Sequence, residues 1–186
     1  MRKTLFAILL AAALATGFAL EASAQNGDNP MVGGAPMYKT KNIVENAVNS
    51  ADHTTLVAAV KAAGLVETLS GKGPFTVFAP TNTAFAKLKA QAPDTFAAVG
   101  SDRALLKKVL TYHALAKRVP SSAALAAAKQ GASVKTVERE SIRLSVKSGK
   151  IVLNGSSRVV VADVKASNGV IHAIDAVLVP PSLAKG

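Results

Sequence analysis

The chain has 186 residues, with 22 lysines and arginines against 11 aspartates and glutamates, so its formal charge at pH 7 is +11. It has no cysteine, which excludes thiol catalysis and thiolate metal sites and means that packing alone must hold the fold. Its six phenylalanines and two tyrosines are too few for a platform that stacks single-stranded nucleic acid, and no specific nucleic-acid partner is expected.

The first 24 residues have the pattern of a secretory signal peptide. Two basic residues precede an apolar run from Leu5 to Leu20, and the small-x-small sequence Ala22-Ser23-Ala24 follows it. We therefore place cleavage after Ala24 and predict export to the periplasm or the extracellular space. The run is too short and too rich in alanine and glycine to favour the alternative of a membrane anchor, so no transmembrane segment is expected after cleavage. Two basic residues and one acidic residue leave with this segment, which lowers the formal charge from +11 to +10.

The segment after the cleavage site predicts a linker and then one domain. Residues 25–37 are rich in glycine, proline and asparagine and lack periodicity, which is typical of a flexible leader. The domain is expected at 38–181, with a short tail at 182–186. Between Lys39 and Ser70 apolar residues recur at helical spacing, and Asp52 is the expected N-cap of the second helix there.

The middle of the chain predicts a strand followed by several helices. The β-rich run at 75–79 predicts a strand that Pro80 ends, because proline cannot donate a backbone hydrogen bond to the ladder. The Thr81 hydroxyl is placed to cap the next helix. Apolar spacing predicts a further helix over 102–111, and an alanine-rich helix runs to Lys129.

The pattern then changes to short strands. Apolar and polar residues alternate over 141–147, which indicates a strand with one face in water. Asn154-Gly155 predicts a hairpin turn, and strands are expected over 158–164 and 170–179, before Pro180-Pro181. Helices thus occupy mainly the first half and antiparallel strands the second, so the sequence predicts an α+β fold.

Three segments, in a fixed order, form a recognisable set. Residues 75–85 read FTVFAPTNTAF, residues 168–180 read NGVIHAIDAVLVP, and Leu110-Thr111-Tyr112-His113 lies between them. Over Tyr38 to Pro181 the chain resembles the fasciclin (FAS1) domain family, with its two signature motifs and central tyrosine–histidine element. The resemblance implies a β-sandwich wedge with helices packed around it. It also implies a secreted or surface-attached protein of cell adhesion or matrix contact, here in a single-domain bacterial form.

The matched motifs supply the candidate binding residues, which are Asn82, Thr83, Tyr112, His113, His172 and Asp175. The family often has an acidic residue at the position of Thr83, so a contact made by that acid is not expected here. Both faces of the 170–179 strand are apolar, which predicts a strand covered on both sides. His172 and Asp175 then need hydrogen-bond partners, and Tyr112 and His113 are the expected polar neighbours.

No catalytic residue, metal or cofactor is expected. The sequence lacks a G-x-S-x-G elbow, and a period of two places His172 and Asp175 on opposite faces of their strand. A serine–histidine–aspartate arrangement around His113 or His172 is the catalytic alternative that the composition leaves open. The three histidines lack the close spacing of a zinc site, and no calcium-binding loop occurs.

The expected function is adhesion through surface or matrix polymers, such as acidic polysaccharide, or through other proteins. The only adjacent basic pairs after residue 24 are the candidate anion-binding residues Lys107, Lys108, Lys117 and Arg118. The same positive charge, scattered over the chain, also fits an ordinary solvated surface. Because some algal fasciclin domains bind carotenoids, the resemblance allows an alternative function, in which a groove carries an apolar small molecule such as a carotenoid or lipid. The sequence leaves the oligomeric state open.

Overall fold

The computed structural model describes residues 29–184. In that range the helices are α1 Ile43–Asn49, α2 Thr54–Ala62, α3 Val66–Ser70, α4 Asn82–Gln91, α5 Pro93–Ser101, α6 Arg103–Tyr112 and α7 Ser121–Lys129. A 3-10 turn at Ala51–His53 joins α1 to α2. The strands are β1 Met31–Val32, β2 Ala35–Pro36, β3 Phe75–Pro80, β4 Ala114–Leu115, β5 Ser133–Lys135, β6 Ser141–Lys147, β7 Lys150–Leu153, β8 Ser157–Ala166 and β9 Gly169–Ile174.

Seven of these strands form one hydrogen-bonded order, β4-β3-β9-β8-β7-β6-β5. Strands β3 and β9 run parallel, and the other neighbouring pairs run antiparallel. Most helices precede residue 113 and most strands follow it. The predicted α+β class is therefore confirmed.

The two strands of the matched motifs lie side by side at the centre of the fold. Val77 and Ala79 of β3 and Ile171 of β9 belong to the core that packs under α1, α2 and α6. Phe78 and Ile174 belong to a second core, which packs against α7 and strands β5 to β7. The alternation of β3 and β9 thus divides two cores, and the prediction that the last motif strand is covered on both sides is confirmed.

That strand is shorter than expected, because it ends at Ile174. The N–H of Asp175 still donates to the carbonyl of Arg158 in β8 at 3.1 Å, and backbone groups further on bind side chains instead. The Ser157 hydroxyl donates to the carbonyl of Ala176, and the Leu178 N–H donates to Nε2 of His113. These two bonds hold the chain after it has left the sheet and before it reaches Pro180.

The structure corrects the expected flexible leader for residues 29–37. Strands β1 and β2 pair as a hairpin, and Gly33 and Gly34 between them have positive φ values of 58° and 73°, which glycine adopts without steric cost. Val32 and Met37 are buried in the first core. Glycine here serves a tight turn and not flexibility. The predicted signal peptide and residues 25–28 lie outside the described residues.

Asn168, in the turn between β8 and β9, attaches two helices to the sheet. Its Oδ1 accepts from the N–H of Ile43 at 3.0 Å, at the start of α1. Its Nδ2 donates to the carbonyls of Leu69 and Gly71 at 2.8 and 2.9 Å, at the end of α3. One amide thus satisfies backbone groups at two helix termini that lie about a hundred residues away in the chain.

We expect Asn168→Ala to lower the free energy of unfolding by about 2 kcal/mol, because it leaves three backbone groups without their partner. Urea denaturation at neutral pH measures this loss. Asn49→Ala is the matched control, since Asn49 is exposed at the end of α1 and its side chain has no hydrogen bond within residues 29–184. Equal stability of the two variants would contradict the proposed role of Asn168.

Candidate functional site

The central tyrosine–histidine element is buried and its polar atoms are satisfied. The Tyr112 hydroxyl donates to the carbonyl of Ser141 at 2.9 Å and accepts from Nδ2 of Asn154 at 2.8 Å. Burial raises the pKa of Tyr112, although the bond from Asn154 opposes the shift. With its side chain fully enclosed, Tyr112 is a structural link between α6 and the β6–β7 region, and not a surface for a ligand.

His113 ends α6 and holds the chain that follows β9. Its Nδ1–H donates to the carbonyl of Val109 at 2.7 Å, and its Nε2 accepts from the N–H of Leu178 at 2.9 Å. This pair of bonds fixes the neutral ring in one tautomer. Burial lowers the pKa of His113 to about 4, although the bond to Val109 favours the charged form.

His172 is the corresponding buried ring on β9. Its Nδ1 accepts from the N–H of Asp163 at 3.2 Å, and its Nε2–H donates to the carbonyl of Val119 at 2.9 Å. The ring stacks on Phe78, with 5.9 Å between the two ring centroids. Burial lowers the pKa of His172, against the opposing effects of Val119 and Asp163.

These bonds rule out a serine–histidine–aspartate relay around His113 or His172. Ser121 hydrogen-bonds directly to the carboxylate of Asp163, through both its N–H and its hydroxyl. His172 meets only the backbone N–H of Asp163 and has no ring nitrogen left for a serine. The arrangement caps the start of α7, where residue Pro120 offers no side-chain cap of its own.

Asn82 plays a similar structural part at the start of α2. Its Oδ1 accepts from the N–H of Thr55 at 3.0 Å and from the hydroxyl of Thr54 at 3.2 Å. Its Nδ2 donates to the carbonyl of Ala51 at 2.9 Å. The cap of α2 therefore comes from Asn82 and not from the expected Asp52, which lies inside the 3-10 turn. Thr83, its neighbour, is exposed.

Asp175 is the one polar motif residue near a large surface cleft, and it differs from the expected buried group. Its Oδ1 accepts from the N–H of Arg158 at 2.7 Å, and its Oδ2 lies 2.8 Å from Nε of the same arginine. Nζ of Lys87 lies 4.0 Å from that Oδ2 and donates to the Asp175 carbonyl at 3.1 Å. Partial burial would raise the pKa of Asp175, but the contacts with Arg158 and Lys87 hold it below its usual value.

Asp175 lines an open cleft of about 660 Å³ between α4 and the β6–β7 turn, and all the other charged groups there are basic. Four cations surround the single carboxylate of this basic cleft, and they are Lys87, Lys147, Lys150 and Arg158. The formal charge of these five side chains is therefore +3. Such a wall attracts anions and raises their local concentration.

Lys147 and Lys150 give the cleft its unpaired charge. They stand directly opposite each other in the β6–β7 register, across a turn in which Ser148 and Gly149 have φ values of 51° and 74°. Like charges at directly opposed strand positions destabilise a hairpin. Within residues 29–184 neither ammonium has an acidic side chain within ion-pair distance, so no ion pair offsets the repulsion between them.

The four basic residues singled out from the sequence lie outside this cleft. Nζ of Lys108 is 3.7 Å from Glu140 and 3.9 Å from Glu138, so its charge is already balanced. Arg118 donates to the carbonyl of Ala166 at 3.4 Å, and Lys107 and Lys117 are exposed. Adjacency in sequence therefore missed the structural cluster, whose one sequence signal was the spacing of two lysines around a predicted turn at Gly149.

An apolar groove of about 300 Å³ lies beside the basic cleft, between α2, α4, α5 and α6. Its walls include Phe85, Phe96 and Leu106, with Ala58 from α2. The sequence did not locate this groove, because its wall is assembled from four helices.

Metal ligation and membrane insertion find no support in residues 29–184. In that range no three histidine, aspartate or glutamate side chains come close enough together to hold a metal ion. No helix there has the length and apolar run needed to cross a bilayer.

Comparisons with known proteins agree with this architecture. The family model described as Fasciclin domain matches residues 51–180. Protein sll1483 of Synechocystis is 47% identical over 139 residues, which cover 75% of this chain and 73% of that protein. Immunogenic protein MPT70 of Mycobacterium tuberculosis is 36% identical over 143 residues, 73% of this chain and 67% of MPT70. A FAS1 domain pair from the insect cell adhesion molecule Fasciclin I superposes with a TM-score of 0.66 at 19% identity, over 77% of this chain and 52% of that one.

The buried histidines predict a loss of stability in mild acid. The pKa of His113 is about 4 when folded and 6.5 as a reference, so between these values the unfolded chain binds a proton that the folded chain does not. The contribution of neutral His113 to the free energy of unfolding is complete above pH 6.5. It is lost as the pH falls towards 4, by up to about 3 kcal/mol. Burial also lowers the pKa values of His53 and His172, which adds to the loss in the same direction.

Urea denaturation at several pH values between neutrality and pH 5 measures the slope of the free energy of unfolding against pH. The carboxyls of Asp163 and Asp175 have lowered pKa values, so their contributions are lost only at lower pH. His113→Asn is expected to be less stable at neutral pH and to have a shallower slope, because only His53 and His172 still titrate in this window. An unchanged slope would show that His113 does not carry it.

Proposed function

This chain belongs to the fasciclin family, and from that premise we propose that it is an exported, non-catalytic adhesion module that binds an acidic surface or matrix polymer through the basic cleft. The observation that carries the proposal is the opposed, unpaired lysine pair beside Lys87 and Arg158. A repulsive pair that costs the fold stability is accounted for when a bound anion lies between the two charges.

The geometry suits a polymer. The cleft is open, so a chain can enter and leave along it while acidic groups meet separate cations. Only Nε of the Arg158 guanidinium contacts Asp175, and its terminal nitrogens make no hydrogen bond or ion pair with the residues from 29 to 184. A guanidinium binds carboxylate, sulfate or phosphate oxygens in a planar, two-pronged manner.

Export and adhesion have separate support. The first 24 residues carry the charged, apolar and small-residue pattern of a signal peptide, which would bring the domain into contact with surface polymers. The solved relative Fasciclin I is described as a cell adhesion molecule, and its fold is shared. Both ring nitrogens of His113 and of His172 are bonded to backbone groups, which favours binding over catalysis at these two residues.

A second candidate function is the carriage of an apolar small molecule such as a carotenoid or a lipid. The apolar groove between α2, α4, α5 and α6 favours it, because about 300 Å³ lies at the lower end of the range for small-molecule sites. Colour or extractable lipid in the protein purified from its native host would support this candidate. A colourless and lipid-free native protein would contradict it.

We expect the charge-reversed variant Lys147→Glu/Lys150→Glu to bind dextran sulfate or polygalacturonate about tenfold more weakly than the unchanged chain, or worse, because two charge-assisted contacts are lost. Biolayer interferometry over a salt series measures the affinity, which should weaken as salt shortens the reach of the charges. Neutral dextran is the ligand control.

Lys107→Glu/Lys117→Glu is the matched protein control for this experiment, since it makes the same change of charge at two exposed lysines outside the cleft. We expect it to keep most of the affinity. If both variants lost affinity equally, binding would follow total charge and not the cleft. If neither polyanion bound at any salt concentration, the proposed function would be wrong.

Asp175→Asn offers the opposite test, a gain of binding. Removing the only carboxylate raises the formal charge of the five cleft positions from +3 to +4, while the amide oxygen still accepts from the N–H of Arg158. One charge a few ångströms from the ligand in a water-like medium is worth about a fivefold change in affinity. The same binding assay detects it, and weaker polyanion binding by this variant would place the ligand elsewhere.

A further inference from the structure

The basic cleft and the apolar groove are contiguous. Leu88 of α4 and Val177, after β9, line both of them. Leu88 therefore has one wall of charges on one side and the aromatic side chains Phe85 and Phe96 on the other. No other described feature brings a large polar cavity and a large apolar one into contact in this way.

We propose that the cleft and the groove form one site for an amphiphile, in which an alkyl chain lies in the groove and a phosphate or carboxylate head lies in the cleft. The inference depends on the anion-binding role given to the cleft in the proposed function. It adds a ligand class that neither an acidic polymer nor a purely apolar molecule represents.

The positive charge of the cleft favours an anionic head group. The cleft carries three positive charges in excess, and Lys147 and Lys150 lack acidic partners among residues 29–184. An anion between them and Arg158 would relieve the repulsion and engage the free end of the guanidinium. A neutral sugar head would leave the repulsion in place.

The apolar lining of the groove favours an alkyl chain. Its lining is almost entirely carbon, from aromatic and aliphatic side chains of four helices, and about 300 Å³ accommodates one alkyl chain. Ala58 lies on its exposed rim, and its small side chain leaves the entrance open. An apolar surface of this kind next to a charged cleft binds best the ligand that covers both.

Calorimetric titration of the exported chain tests the proposal with alkyl phosphates of increasing length, each below the concentration at which it forms micelles. The affinity should rise with chain length by up to about fourfold for each methylene buried, so that dodecyl phosphate binds more than about a hundredfold more tightly than butyl phosphate. Dodecyl maltoside, with a neutral head, should bind far more weakly. Comparing the affinity for dodecanoate with that for dodecyl phosphate distinguishes a fatty acid from a phospholipid as the source of the ligand.

Two variants locate the ligand. Ala58→Phe fills the entrance of the groove and should weaken the binding of dodecyl phosphate but not that of dextran sulfate. The control variant Ala86→Phe makes the same change at an exposed α4 position outside both cavities. Lys147→Glu/Lys150→Glu should weaken the binding of both ligands. Methyl NMR shifts of Leu88 and Val177 on adding dodecyl phosphate would report binding at the junction itself.

The outcomes separate the two proposals. Dodecyl phosphate binding no more tightly than butyl phosphate, or no more tightly than dodecyl maltoside, overturns the amphiphile site, and the proposed function stands if dextran sulfate still binds. Equal effects of Ala58→Phe and Ala86→Phe also overturn it. Chain-length-dependent binding without any polyanion binding supports the amphiphile site and contradicts the polymer.

Discussion

The fold depends on side chains that cap helices from distant parts of the chain. Asn82 satisfies the start of α2, Asp163 the start of α7 and Asn168 the start of α1, each from within or close to a strand of the central sheet. Helix termini leave backbone groups without partners, and a local N-cap would satisfy them without fixing the helix in space. A cap from the sheet does both, which matters in a chain that has no cysteine for a disulfide.

This use of polar residues determines where function can lie. Tyr112, His113 and His172 use their hydrogen-bond donors and acceptors inside the molecule, so the polar atoms of these three motif residues are not available to a ligand. Charge that the fold does not use is found instead at the β6–β7 turn. Lys147 and Lys150 repel each other there, and a residue pair that opposes folding calls for a reason outside folding.

What the sequence predicted follows from the range of each interaction. Thr81 and Asp102 cap the helices directly after them, and short-range spacing was enough to place both helices. Asp52 satisfied the same local rule, yet Asn82 caps that helix from 27 residues away in sequence. Alternation placed the strands, but it gave no information on which turn faces α4, so the basic cleft required the tertiary structure. Composition predicts flexibility at the glycines 33 and 34, because it does not distinguish a mobile glycine from one that a tight turn requires.

The adjoining cleft and groove also link binding to stability. A ligand that binds the folded chain alone raises its free energy of unfolding in proportion to the logarithm of its concentration over its dissociation constant. Here an anion would additionally remove the repulsion between Lys147 and Lys150, which weakens the β6–β7 hairpin when the cleft is empty. The hairpin turn is exposed, whereas Leu88 and Val177 are anchored between the cleft and the helices. In the proposed site the head group would relieve that repulsion and the alkyl chain would add the free energy of its own burial, so one ligand spanning both would stabilise the domain more than either part alone.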